Sequence, residues 1–126
     1  MKHLGISVAL LAAIFCTALA NTVYLSTFTQ DLTDQLFFAQ EKAAAGNWEE
    51  ALALTQQAHQ NWEKHGTYLH ITLQHEDIDN VYLFFLQTEQ FLSCQKEGEY
   101  AAANAALMGH LTLLREQEEL TLKNIL

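Results

Sequence analysis

Between His75 and Asn80 the chain reads His-Glu-Asp-Ile-Asp-Asn, a run of side chains able to hold a metal ion or move a proton. If the run is helical, His75 and Asp79 stand one turn apart with Glu76 and Asp77 between them. A metal- or ligand-binding domain, or a hydrolase, would be built on these four residues. A metal site needs three or four ligands and ordered partners behind them, and the sequence has no HxxxH, no CxxC and no repeated carboxylate pair. The block therefore reads first as a structural polar clasp of His75, Asp77, Asp79 and Asn80. In it Asp77 or Asp79 caps a helix segment and His75 bonds across to a neighbour. His59 and His110 fall on apolar stripes and read as buried, hydrogen-bonded histidines rather than ligands. His70 is too far round from His75 to share its face. No catalytic motif is present, so no enzyme activity, catalytic residue, metal or cofactor is expected.

The elements that must position these side chains are helical. Proline is absent, and Ala, Leu, Gln and Glu abound. Leu25, Phe28, Leu32, Leu36, Ala39 and Ala43 share one face of a first helix ending at Ala45. Gly46 breaks it, and Asn47 with Glu50 makes a capping-box-like start for the second. Trp48, Ala51, Leu52, Thr55, Ala58, His59 and Trp62 form the second stripe, which stops near Gly66. Ile78, Val81, Tyr82, Phe85 and Leu92 belong to a third helix running to about Glu97. Gly98 then turns the chain into a fourth, carrying Tyr100, Ala103, Leu107, His110, Leu111 and Leu114. Gly46-Asn47-Trp48-Glu49-Glu50-Ala51 stands over Gly98-Glu99-Tyr100-Ala101-Ala102-Ala103 at an offset of 52 residues. The expected fold is all-α: a transmembrane helix followed by an antiparallel four-helix bundle of two helical hairpins with tetratricopeptide-like turns.

The transmembrane element is the uncharged run Leu4 to Ala20, placed just after Lys2 and His3. Apolar character continues through Val23, Tyr24 and Leu25, and 22 residues is about the length that crosses a bilayer core. Lys2 on one side and Asp31 and Asp34 on the other predict a cytoplasmic N-terminus and an extracytoplasmic body. Residues 1–26 thus form a cell-membrane, single-pass anchor and residues 27–126 a helical domain. Ala18-Leu19-Ala20 also fits a signal-peptidase site, and the alternative is a secreted helical protein cut after Ala20. A lipoprotein anchored at Cys16 is disfavoured, because Ala13-Ile14-Phe15 lacks the small residue expected before the cysteine.

Beyond the anchor, five basic residues face all fifteen acidic ones, a net charge of −10 that disfavours nucleic acid as a partner. Cys16 and Cys94 lie on opposite sides of the anchor boundary, so no internal disulfide is expected, and Cys94 reads as a small buried or half-buried side chain. The segment from Val81 to Leu86 is apolar on every face. A four-helix bundle buries about one face per helix, which leaves Leu83, Phe84 and Phe91 surplus. Exposure of a large apolar side chain forgoes roughly 1.5–3 kcal/mol, so these residues mark the expected interaction surface, with a smaller contribution from Phe37. Its expected occupant is an integral membrane or envelope protein. A homo-oligomer, or the chain's own connection between residues 64 and 76, would cover the same face, as would a central position for this helix.

The apolar N-terminal segment, Gly46-Asn47-Trp48-Glu49-x-Ala51, Trp62, His75-Glu76-Asp77-Ile78-Asp79-Asn80-Val81 and the closing Leu122-Lys123-Asn124-Ile125-Leu126 together resemble domain-of-unknown-function family 4363. The likeness covers nearly the whole chain. It implies a small anchored helical protein of Gram-positive, often spore-forming, bacteria, and it favours a retained anchor over a cleaved signal. It implies no activity, cofactor or catalytic residue, and points to a neighbouring integral membrane protein as partner. Where the family usually continues with charged helix after the Trp62 position, this chain has Gly66.

Overall fold

A computed structural model describes residues 2–65 and 75–125, so Gly66 and His70 lie outside the described residues. Within them are four helices and no strand: α1 (Lys2–Ala44), α2 (Trp48–Lys64), α3 (His75–Ser93) and α4 (Glu97–Ile125). The described residues are all-α, in keeping with a composition rich in helix formers and without proline. α1 has 43 residues and passes through residue 26 without a break. At 1.5 Å per residue it is roughly 65 Å long, so its apolar first half and its core-forming second half are one rod.

The helices pack because their buried positions recur at intervals of three and four. In α1 these are Thr22, Leu25, Thr29, Leu32, Leu36, Ala39 and Ala43. In α2 they are Ala51, Thr55, Ala58 and Trp62, and in α3 Ile78, Val81, Phe85, Thr88 and Leu92. This spacing keeps a seam facing its neighbour when helices cross at a shallow angle. α1 packs on α2 and α4, and α3 packs on the same two helices. Threonine is tolerated in the seam because each hydroxyl bonds within its own helix, Thr29 to the Leu25 carbonyl at 2.8 Å, Thr55 to Ala51 at 2.9 Å and Thr88 to Phe84 at 2.8 Å. Only the methyl group is then left to pack.

The two short turns are built alike. Gly46 takes φ 87°, its N–H bonds the Ala43 carbonyl, and the next N–H, of Asn47, reaches back to Lys42. Gln95 takes φ 55°, with its N–H on Leu92 and the Lys96 N–H on Phe91. Both are the left-handed helix stop in which two orphan carbonyls are satisfied by the residues that follow. Two sequence expectations are corrected here. Gly98 is not the corner: it lies inside α4, and Gln95 makes the turn. Asn47 precedes α2 but makes no side-chain capping bond, and Glu50 instead lies 3.7 Å from Lys42.

The displaced corner also corrects the internal repeat. Aligning the two turns sets the offset at 49 residues rather than 52, one helical turn shorter. At 49, Thr29, Leu32, Leu36, Ala39 and Ala43 stand over Ile78, Val81, Phe85, Thr88 and Leu92. Ala51, Thr55, Ala58 and Trp62 likewise stand over Tyr100, Asn104, Leu107 and Leu111. Every one of these positions is buried. Forty-nine residues is seven heptads, so the second half of the chain reuses the seam of the first without a phase shift.

Among the described residues one buried polar side chain besides the seam threonines is fully inside, and it bonds across helices. Asn104 on α4 donates from Nδ2 to the Leu36 carbonyl at 3.2 Å and to Gln40 Oε1 at 2.9 Å, both on α1. A slip of one turn would leave this amide buried and unpaired, so the contact fixes the register of the two helices. Further along the same pair of helices, Arg115 donates to Gln30 at 2.8 Å, and Asn21 donates to Glu118 at 2.9 Å.

Candidate functional site

α3 is the helix on which sequence chemistry and surplus apolar surface converge. Its core face is Ile78, Val81, Phe85, Thr88 and Leu92. On the flank toward α2, His59 stacks on Phe85 with ring centroids 4.8 Å apart and only 6° between planes. Its Nδ1 lies 3.0 Å from Glu89 Oε1 and its Nε2 3.2 Å from Glu63, with the imidazole only 12 % exposed. On the flank toward α4, His110 Nε2 lies 3.8 Å from Asp77 Oδ1, and its ring meets Phe84 at 5.6 Å. α3 is thus held on both sides by a histidine that faces a carboxylate and a ring of α3 itself. His59 and His110, expected as buried, hydrogen-bonded histidines, are both half-buried; His59 bonds Glu89, whereas His110 Nε2 makes no hydrogen bond among the described residues, Asp77 being 3.8 Å away.

The acidic block divides rather than converging. His75 Nε2 and Asp79 Oδ2 are 3.4 Å apart on the exposed side of the first turn, whereas Asp77 turns inward to His110. Glu76 is exposed, and Asn80 is half-buried. Among the described residues no three His, Cys, Asp or Glu side chains gather at metal-binding spacing.

The apolar surface is also redistributed. Leu83 points away from the core and is 53 % exposed, as expected of a surplus residue. Phe84 and Phe91, by contrast, are half-buried and pack against the two core clusters, Phe84 beside His110 and Phe91 near the Trp48 and Tyr100 end. The residues that join Leu83 in solvent are Tyr82 at 44 % and Leu86 at 41 %. Tyr82 was expected in the core stripe; it instead lies outside it, edge-on to His59 at 5.7 Å. The available signal was angular: Tyr82 and Leu86 are one turn apart and share a flank with Glu89, while Phe84 and Phe91 share the opposite one. On α1, Phe37 and Phe38 are exposed, with Lys42 5.0 Å from the Phe38 ring centroid.

Three other features complete the surface. Cys94 is exposed rather than buried, because α3 ends at Ser93 and leaves it in the turn, and it is a free thiol like Cys16. Tyr100 is buried against Trp48, its hydroxyl has no partner among the described residues, and burial pushes its pKa up to about 12. An open apolar groove of about 990 Å³ runs along α1 past Leu10, Ile14, Thr17, Asn21 and Tyr24. α1 is also long and apolar enough to cross a membrane.

Residues 19–125 match the family model described as Domain of unknown function (DUF4363). No curated protein and no solved structure matches the chain.

Proposed function

The chain belongs to the DUF4363 family, whose description names no activity, and from that premise we propose an anchored interaction module: an accessory subunit that docks on an envelope membrane protein through α3. The observation that carries this reading is the outward face of Tyr82, Leu83 and Leu86, three large apolar side chains in solvent on a helix whose other side is already core. Together they leave an apolar patch that favours a partner. The flanking histidine contacts then hold that face at a set angle, a role the polar clasp was expected to fill from His75 to Asn80.

In this reading the body is an antiparallel bundle of two hairpins. The support is the descending order of α4 partners along α1, from Asn104 beside Leu36 and Gln40 to Glu118 beside Asn21, together with the matching turns at Gly46 and Gln95. The apolar half of α1 is the membrane anchor, with Lys2 on the cytoplasmic side. Because α1 is one uninterrupted helix, the bundle has no hinge at the membrane, and the α3 face is presented in a fixed direction.

A photo-crosslinking residue at position 83, compared with one at the exposed Gln56 of α2 in intact cells, tests the reading. A membrane-protein adduct at 83 and none at 56 is the expected result. Equal labelling, or none at either site, would sink it.

Release by cleavage after Ala20 is the second reading. It keeps every buried position, since the first of them is Thr22. The intact mass of the native product separates the two.

A further inference from the structure

Where the C-terminal end of α2 meets α1, a cleft of about 330 Å³ opens between the two helices, at the small end of the roughly 300–1,000 Å³ common for small-molecule sites. Its wall is aromatic. The Tyr24 and Phe28 rings lie within 8° of parallel at 6.2 Å, and the ring of His65, the residue that ends α2, meets Phe28 at 4.4 Å and Tyr24 at 5.9 Å. The buried Trp62 stands 6.2 Å from Phe28 and within 14° of parallel, so the wall is fixed from the core side. Tyr24 is 38 % exposed, which leaves part of the wall open to a ligand.

The polar groups of the cleft favour one sign of charge. Asp31 lines it with an exposed carboxylate that has no ion-pair partner among the described residues, and no lysine or arginine among them lines it. Gln35 spends its amide nitrogen on the Leu54 carbonyl at 2.9 Å, which leaves its side-chain oxygen as an acceptor. His65 Nδ1 lies 2.8 Å from the Asn61 carbonyl; a carbonyl can only accept, so Nδ1 carries the proton and Nε2 of the neutral ring holds a lone pair.

We propose that this cleft binds a small organic ammonium ion, a primary amine carried on an apolar body. The ring faces and the unpaired carboxylate attract the cation. The Gln35 oxygen and His65 Nε2 are acceptors for its N–H groups, and Tyr24 and Phe28 receive the apolar body. An anion is repelled by Asp31, and a neutral ligand gains nothing from it. The lining comes from α1 and α2, so the site is separate from the outward face of α3 and goes beyond the docking role. Every lining residue also follows Ala20, so the site exists whether the apolar half of α1 is kept or cleaved.

The full chain in phosphatidylcholine nanodiscs is titrated calorimetrically with phenethylammonium chloride, with empty nanodiscs subtracted and 2-phenylethanol as the neutral counterpart. One saturable site per chain is expected for the amine and none for the alcohol. Asp31→Asn should weaken binding about tenfold, Tyr24→Leu should weaken it several-fold, and Glu76→Gln, exposed on α3, should leave it unchanged. Thermal melts check that each variant is folded; Asp31 is exposed and unpaired, so its replacement should leave the melt where it was. No saturable binding of the amine, equal binding of the alcohol, or wild-type affinity in Asp31→Asn overturns the site.

Discussion

Gly46 and Gln95 occupy the same place in the two halves of the chain, each the left-handed residue that stops a helix, and only the first is glycine. The φ of 55° at Gln95 carries a steric cost that Gly46 does not pay at φ 87°. Gln95→Gly should therefore stabilise the protein by about 0.5–1 kcal/mol, after the greater entropy of unfolded glycine is subtracted. Gly46→Ala should destabilise by about 1 kcal/mol although there is open space for the methyl group, since the penalty lies in the backbone. Urea denaturation of the three proteins measures both.

Asn104 is the buried amide between α4 and α1. Asn104→Ala should cost about 2 kcal/mol, combining a small cavity with the loss of donors to Leu36 and Gln40. Asn104→Leu should cost less than Ala, because it refills the volume, and should broaden the thermal transition if register is loosened. Calorimetry of the two variants separates stability from cooperativity.

Tyr100 gives the protein an alkaline limit. Its folded pKa of about 12 is above the usual 10, so its contribution to stability is fully present below pH 10 and is lost as pH rises toward 12. Over that window wild type should lose on the order of 2 kcal/mol more than Tyr100→Phe, which cannot ionise. At pH 7 the two should differ by less than about 1 kcal/mol, since the hydroxyl has no partner to lose among the described residues. Denaturant midpoints from pH 7 to 11.5 provide the comparison.

His59 and Glu89 tie α2 to α3. A double-mutant cycle with His59→Ala and Glu89→Ala should return a coupling of about 1 kcal/mol, appropriate to a pair this buried and this close. His75 and Asp79, similarly spaced but exposed, should couple by a few tenths of a kcal/mol at most.

The α3 face can be separated from the fold by choice of residue. Leu83→Ser with Leu86→Ser should change stability by less than about 0.5 kcal/mol and should abolish crosslinking at that face. Phe84→Ser should cost about 2 kcal/mol, because that ring rests on the core. Thermal melts of the purified variants are the control for any loss of partner binding.

Helicity, the positions of most core stripes and the apolar half of α1 were legible in the residues, because each depends on spacing within a single helix. Leu36, Ala58, Phe85 and Leu111 are buried because the 3.6-residue period repeats at short range whatever the neighbours are. The turn at Gly46 was legible for the same reason, being a local backbone requirement. Gln95 was not: glutamine carries no left-handed signal, and Gly98 stood nearby as a false one. The one-turn error in the repeat followed from that substitution. Which carboxylate each histidine meets, whether Phe84 or Tyr82 is the exposed ring, and the level at which Glu118 stands against Asn21 were decided only by how the helices lie together. Such pairings join residues 30 to 97 positions apart, and their geometry depends on the rotation of one helix against another, which no periodicity within either helix contains.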